Sequence, residues 1–213
     1  MLRTKGLALL HRRASLPART GRHADLLAIG LGNPGAEFAQ TRHNVGIDAI
    51  ELLASRHGVV LRAERGVAGR AVEFSIGDRR LALAVPSTFM NESGMAVRAL
   101  LRRYVNGDLS RLVVMHDELD LDPGVVRVKF GGGTAGHNGL RSIQSHLRSL
   151  DFARVRIGIG KPPGEMHGAD YVLRRAPAKQ RESLAVALSV AGKAVELILE
   201  RGIDAAMNEV NAR

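Results

Sequence analysis

Residues 28–35 read AIGLGNPG, an apolar run that breaks into spaced glycines and one proline. Gly30, Gly32 and Gly35 fit the G-x-G-x-x-G pattern of dinucleotide-binding loops, so this stretch decides between a cofactor fold and another kind of α/β domain. A cofactor loop needs its third glycine inside a helix that starts at the loop, and an acidic residue at the end of the next strand ~20 residues on. Here Pro34 biases Asn33 to an extended conformation, and Ala36–Arg42 has no apolar helical face. Glu51 lies at a plausible distance but inside a helical pattern rather than at a strand end. The glycines are better read as clearing space around Asn33 at the carboxyl end of a strand, where open α/β sheets build their sites.

Outward from that strand, strand and helix patterns alternate. Leu26–Gly30 reads as a buried strand, and Asn44–Arg56 as a helix with Val45, Ile47, Ile50, Leu52 and Leu53 apolar and Gly58 as its stop. Val72–Ile76 and Leu81–Val85 flank Gly77-Asp78 as a hairpin. Glu92–Tyr104 reads as a helix burying Met95, Leu100 and Leu101. Leu112–Met115, Val125–Val128 and Arg154–Ile159 read as strands, Leu140–Leu150 as a helix, and Ala178–Arg201 as a long amphipathic helix before a short polar-ended tail. The expectation is a single α/β domain over residues 25–213: a mixed, mostly parallel twisted sheet with helices on both faces.

Composition narrows the class. The 213 residues hold 31 Lys and Arg against 21 Asp and Glu, a formal net charge of +10. Six of those cations (Arg3, Lys5, Arg12, Arg13, Arg19 and Arg22) precede Asp25, the first acid, so the body itself is only mildly basic. That excess is compatible with a polyanionic partner without requiring one. Residues 1–24 are expected to be a disordered basic extension; an organelle transit peptide shares this acid-free, Arg-rich composition. A cytoplasmic location is therefore expected, with a mitochondrial or plastid matrix as the alternative. Cysteine is absent, which excludes disulfides, thiolate metal sites and cysteine nucleophiles. No apolar run approaches the ~20 residues of a membrane span.

Several polar residues stand just past a strand or at a helix start: Asn33; His43-Asn44; Met90-Asn91; His116-Asp117; and His137-Asn138-Gly139 after the triple glycine 131–133. Carboxyl ends of parallel strands share one edge of a sheet, so these residues can converge. An imidazole, with an ordinary pKa of ~6.5, can take a proton from water near neutrality, and a carboxylate on its other nitrogen would fix the tautomer. No G-x-S-x-G turn and no H-E-x-x-H accompany them, which favours water as the nucleophile. Asparagine amides both donate and accept, and suit peptide backbone groups. Structural readings stand beside these. Asn33 and Asn91 suit turns or caps, His43 a satisfied structural histidine, and His116-Asp117-Glu118 a polar loop. Gly131–Gly133 suits either a tight turn or a phosphate nest, and Lys129 and Arg156 suit solvated strand positions.

The strings GLGNPGAEFAQTRHNVG, STFMNESG, HDELDLDPG, KFGGGTAGHNGLRSI and RIGIGKPPG, in that order, resemble the bacterial-type peptidyl-tRNA hydrolase family, from about Leu27 to the Ala206-Met207-Asn208 end. The resemblance implies cleavage of the ester between a peptide and the 3′ adenosine of tRNA, by a monomer with no metal or organic cofactor. It implies that His43 is the base, that Asp117 orients it, and that Asn33 separates blocked from free aminoacyl ends. Asn91 and Asn138 match side chains that hold substrate and water. Phe89 and Met90 match the lining of the peptide and adenosine cleft, and Lys129 and Arg156 match a clamp on the tRNA 5′ phosphate. Phe38 departs from the family's usual tyrosine, keeping a ring but losing the hydroxyl. A non-enzymatic RNA-binding or splicing factor on the same fold is the alternative.

Overall fold

The computed structural model describes residues 21–212. Most of the 1–24 extension therefore lies outside the described residues. The chain runs through β1 (Leu26–Gly30), α1 (Val45–Arg56), β2 (Arg62–Ala63), β3 (Gly69–Ile76), β4 (Arg79–Pro86) and α2 (Ser93–Val105). It continues through β5 (Leu112–Glu118), β6 (Val126–Phe130), α3 (Asn138–Leu147), β7 (Ala153–Gly158), α4 (Gly168–Val172), α5 (Ala178–Arg201) and α6 (Ile203–Asn211).

The seven strands form one sheet in the order β2-β3-β4-β1-β5-β7-β6. β4, β1, β5 and β7 are parallel and make its centre, while antiparallel pairings of β2 with β3, β3 with β4, and β6 with β7 finish the two edges. The sheet is thus mixed, with its parallel part confined to the middle. All five residues of β1 are buried, as an apolar run between two parallel neighbours requires. Successive residues of β1 feed opposite cores. Leu26 and Ala28 join α1, α5 and α6 on one face, and Leu27 and Ile29 join α2 and α3 on the other.

The opening glycines are used for close packing. A side chain at Gly30 would collide with the carbonyl oxygen of Gly46, and one at Gly46 with the backbone of Leu31 and Met115. The first turn of α1 can therefore sit directly on the ends of β1 and β5. The hairpin turns at Gly77, whose φ of +58° suits glycine.

Some expectations change. Met95 is exposed, not buried: α2 buries Ala96, Val97, Leu100, Leu101 and Tyr104, and at ~100° per residue Met95 falls on the opposite side from Val97. β5 does not stop at Met115 but carries His116, Asp117 and Glu118, all buried, so these are strand residues rather than a polar loop. The tail after α5 is a helix. Gly202, at φ +85°, breaks the helical run, and α6 then buries Ala206 and Val210. Its Asn211 side chain donates to Val128 C=O (2.9 Å) and accepts from Val128 N–H (2.8 Å), covering part of the edge strand β6.

Candidate active site

β1 lies between the parallel strands β4 and β5, and the chain crosses from β4 to β5 past it through α2; ligands gather outside the carboxyl ends of strands at such a switch point. His43 stands there, in a 3-10 turn, Arg42–Asn44, that leads into α1. The turn is held from both sides of His43. Asn44 accepts the Asn33 backbone N–H through Oδ1 (2.8 Å) and donates to the Asn33 carbonyl through Nδ2 (2.9 Å). Arg42 is buried at 6% exposure and faces the segment after α4.

The His43 Nδ1 atom lies 2.9 Å from both carboxylate oxygens of Asp117, 74 positions away. The side chains are 10% and 3% exposed. Asp117 Oδ1 also accepts from His137 Nε2 at 2.9 Å. The proton on His137 must be at Nε2, because its Nδ1 accepts the Gly139 and Leu140 N–H groups (3.1 and 3.4 Å) and caps α3. His116 turns away from the carboxylate and donates through Nδ1 to the Asp117 carbonyl (2.8 Å).

Burial alone would raise the Asp117 carboxyl, but the imidazoles of His137 and His43 overcome it and hold the group well below the usual carboxylate range. Asp117 is thus a fixed anion. Burial, and then the neighbouring His137, push His116 down to about 3, so this imidazole stays neutral. With Nδ1–H of His43 donated to a carboxylate, its Nε2 keeps a lone pair, and no described residue bonds that nitrogen. A lone pair of that kind can accept a proton from water.

Three cavities adjoin here, two of them lined by His43. One, of about 310 Å³, is lined by Asn33, Phe38, His43, Phe89, Met90, Asn91 and Asn138 with Ala169, Val172 and Leu173. The second, about 290 Å³, shares His43, Asn138, Ala169 and Val172 with it and adds His116, Asp117, Glu118 and His137. The third, about 310 Å³, shares Glu118, Thr134 and Ala135 with the second and holds Lys129, Arg154 and Arg156. Asn33, Phe38, His43, Phe89, Met90, Asn91, Asp117, Lys129, Asn138 and Arg156 therefore all line cavities that share residues, with Asn33 and Asn91 in the first and the cations in the third.

Within the first cavity, the Asn33 Oδ1 accepts the Met90 N–H (2.8 Å), which leaves the Asn33 amide NH₂ as its available donor. Phe38 and Phe89 meet edge to face, with centroids 6.2 Å apart. In the third cavity, Arg156 donates to Glu118 (2.8 Å), while Lys129 is exposed. In the triple glycine, the Gly131 N–H donates to Phe152 C=O (3.1 Å). The segment turns the carbonyls of Gly131 and Gly133 onto the Arg154 guanidinium.

Three features escape a reading of the sequence alone. The bond from His137 to Asp117 depends on the placement of α3 against β5. Arg154 is 3% exposed in a strand, and its only signal is a cation among apolar neighbours. The wall formed by Ala169, Val172 and Leu173 lies on a five-residue helix with little periodicity to detect.

A mixed α/β domain whose strand ends bring a buried imidazole–carboxylate pair to an amide-lined cleft is built like a hydrolase that activates water. Comparison with known proteins is specific. The profile described as peptidyl-tRNA hydrolase matches residues 27–213. The peptidyl-tRNA hydrolase of Rhodococcus erythropolis is 46% identical over 185 residues, covering 87% of this chain and 97% of the relative. That of Cutibacterium acnes is 45% identical over 198 residues, covering 87% and 98%. The crystal structure of peptidyl-tRNA hydrolase from Acinetobacter baumannii superposes with a TM-score of 0.83 at 39% identity, covering 90% of this chain and 98% of that one. The chain belongs to the peptidyl-tRNA hydrolase family.

Proposed function

We propose that this protein hydrolyses the ester joining a peptide, or an N-blocked aminoacyl group, to the 3′ adenosine of tRNA, releasing tRNA for reuse in translation. Family membership supports the reaction class, and the observation that carries the mechanism is the 2.9 Å contact between His43 and Asp117. His43 Nε2 takes a proton from a water beside the ester carbonyl, and the resulting hydroxide adds to the carbon. Asp117 stabilises the imidazolium so formed and itself stays ionised. When the tetrahedral intermediate collapses, the 3′ oxygen leaves and regains a proton from His43 Nε2–H.

The other residues take roles that fit their places. Asn33, Asn91 and Asn138 hold peptide amides and the attacking water, while Phe38, Phe89 and Met90 line the apolar part of the cleft. Lys129 and Arg156 receive phosphate at the far end. A free α-ammonium would bring a charge next to Asn33, whose spare group is a donor, so blocked substrates are favoured. The groove is complete within one chain, and we infer a cytoplasmic monomer with residues 25–213 as its catalytic domain. Among the described residues, no helix is long and apolar enough to cross a membrane.

The test is turnover of N-acetyl-aminoacyl-tRNA in excess EDTA. Parent protein that releases tRNA at an undiminished rate supports metal-independent hydrolysis. Tight tRNA binding without turnover would instead favour a non-enzymatic RNA binder.

A further inference from the structure

Ala169, Val172 and Leu173 line the first cavity, and Ala169 and Val172 also line the second. They form an apolar wall of the cavity that Asn33, Asn91 and Asn138 also line. That wall is a poor structure by itself, because α4 has five residues and no side-chain N-cap. An isolated helix of that length is not stable in water.

Arg42 supplies what α4 lacks. Its Nη1 donates to the carbonyls of Tyr171 (3.4 Å), Arg174 (3.1 Å) and Arg175 (3.2 Å), and its Nη2 donates to Gln180 Oε1 (2.8 Å). Its backbone N–H bonds Arg174 C=O (3.2 Å), and its guanidinium lies 4.0 Å from the centre of the Tyr171 ring. Of the carbonyls that Nη1 meets, that of Tyr171 belongs to the last turn of α4, where a cation meets the negative end of the helix dipole. The guanidinium places donors on two nitrogens, one on the carbonyls and one on Gln180, a span that the single nitrogen of an ammonium does not offer. Arg42 is joined through the backbone to His43, so the clamp and the base belong to one turn.

We propose that Arg42 is a positioning residue: it fastens the wall formed by residues 168–175 beside His43 and so sets how firmly the cleft grips its substrate, without touching the reacting atoms. This rests on the hydrolase reading given above. The wall's contacts are apolar and are made equally before and during the reaction, so their loss acts on KM more than on kcat.

The experiment compares Arg42→Met and Arg42→Lys with the parent chain. It measures steady-state hydrolysis of N-acetyl-aminoacyl-tRNA and hydrogen exchange over residues 168–175 against the central strands β1 and β5. For Arg42→Met, KM should rise by about 10-fold, the order expected for losing an apolar contact or two in a pocket. Its kcat should stay within about 3-fold of the parent, since the base is untouched. Exchange should quicken over 168–175 while β1 and β5 stay protected. Arg42→Lys, which keeps the charge and the fold but not the second donor nitrogen, should fall between the two on both readouts and carries the test if the Met variant does not fold. Unchanged KM, whether or not thermal stability falls, would reduce Arg42 to a purely structural residue. A fall in kcat with KM intact would show that it acts through the orientation of His43 instead. A parent chain without hydrolase activity would sink the functional reading, while the exchange data would still decide whether Arg42 holds the wall.

Discussion

Replacing Asp117 by asparagine keeps the size and shape of the side chain and removes its charge. One amide oxygen can still accept from both His43 and His137, because Asp117 Oδ1 already serves both at 2.9 Å. What is lost is the anion opposite the imidazolium that forms when His43 takes a proton. With the hydrogen-bonded atoms 2.9 Å apart, the charge centres are ~4 Å apart, and two unit charges at that separation interact by about 4 kcal/mol at an effective dielectric constant of 20. A deficit of that size in the transition state corresponds to roughly 10³-fold in kcat. If the amide rotates and presents its NH₂ to Nδ1, the proton of His43 moves to Nε2, the base is lost, and the fall is larger. The assay is release of tRNA from N-acetyl-aminoacyl-tRNA at saturating substrate, with circular dichroism to verify the fold. A kcat within about 10-fold of the parent would show that Asp117 does not stabilise the imidazolium.

Other consequences follow from the same geometry. His116 is held neutral down to about 3 against an ordinary value of 6.5, so the unfolded chain binds a proton there that the folded chain does not. Its contribution to stability is whole above pH 6.5 and is lost as pH falls from there toward 3. Denaturant titrations should show His116→Gln losing less stability than the parent between pH 7 and pH 4, and an equal loss in both would contradict the buried neutral imidazole. Lys129→Ala should flatten the salt dependence of tRNA binding by nearly one phosphate contact, and Arg156→Ala by less, because Glu118 already offsets that charge at 2.8 Å. Filter binding across a salt series that gave parental slopes for both would remove them from phosphate recognition. Asn33→Asp keeps the acceptor for Met90 N–H and replaces the spare NH₂ by an anion. Competition between blocked and free aminoacyl-tRNA should then show the selectivity ratio falling, and an unchanged ratio would argue against Asn33 as the discriminating group.

The parts of this molecule that could be read from its sequence are those governed by local chemistry. LLAIG before LGNPG announces a buried strand and a site at its end, and Gly77-Asp78 between apolar runs announces a hairpin. The convergence of Asn33, His43, Asn91 and Asp117 follows once β1, β4 and β5 are taken as parallel, whereas Asn138 follows the antiparallel β6 and reaches the site only through the intervening 131–137 segment. Features set by contacts between distant segments were not legible. Arg42 looks like one more surface cation until α4 is placed beside it, and Arg154 until the glycine loop folds over it. Met95 belongs to the apolar residues of α2 by type, yet the stripe that meets the sheet runs through Val97, Leu100 and Tyr104. α6 buries only Ala206 and Val210, too sparse a pattern to stand out from a tail. The edge pairing of β6 against β7 reverses the parallel sense that alternating strands and helices suggest.

In the proposed mechanism His43, steadied by Asp117, activates water at the ester of peptidyl-tRNA. Single-turnover hydrolysis by parent and His43→Ala protein, with tRNA affinity measured alongside, addresses it most directly. In the variant the rate constant should fall by at least about 10²-fold, the lower end of general-base contributions. Affinity should persist, because Lys129 and Arg156, the residues proposed to receive phosphate, line a different cavity from His43. Near-parental turnover by the variant would contradict the mechanism.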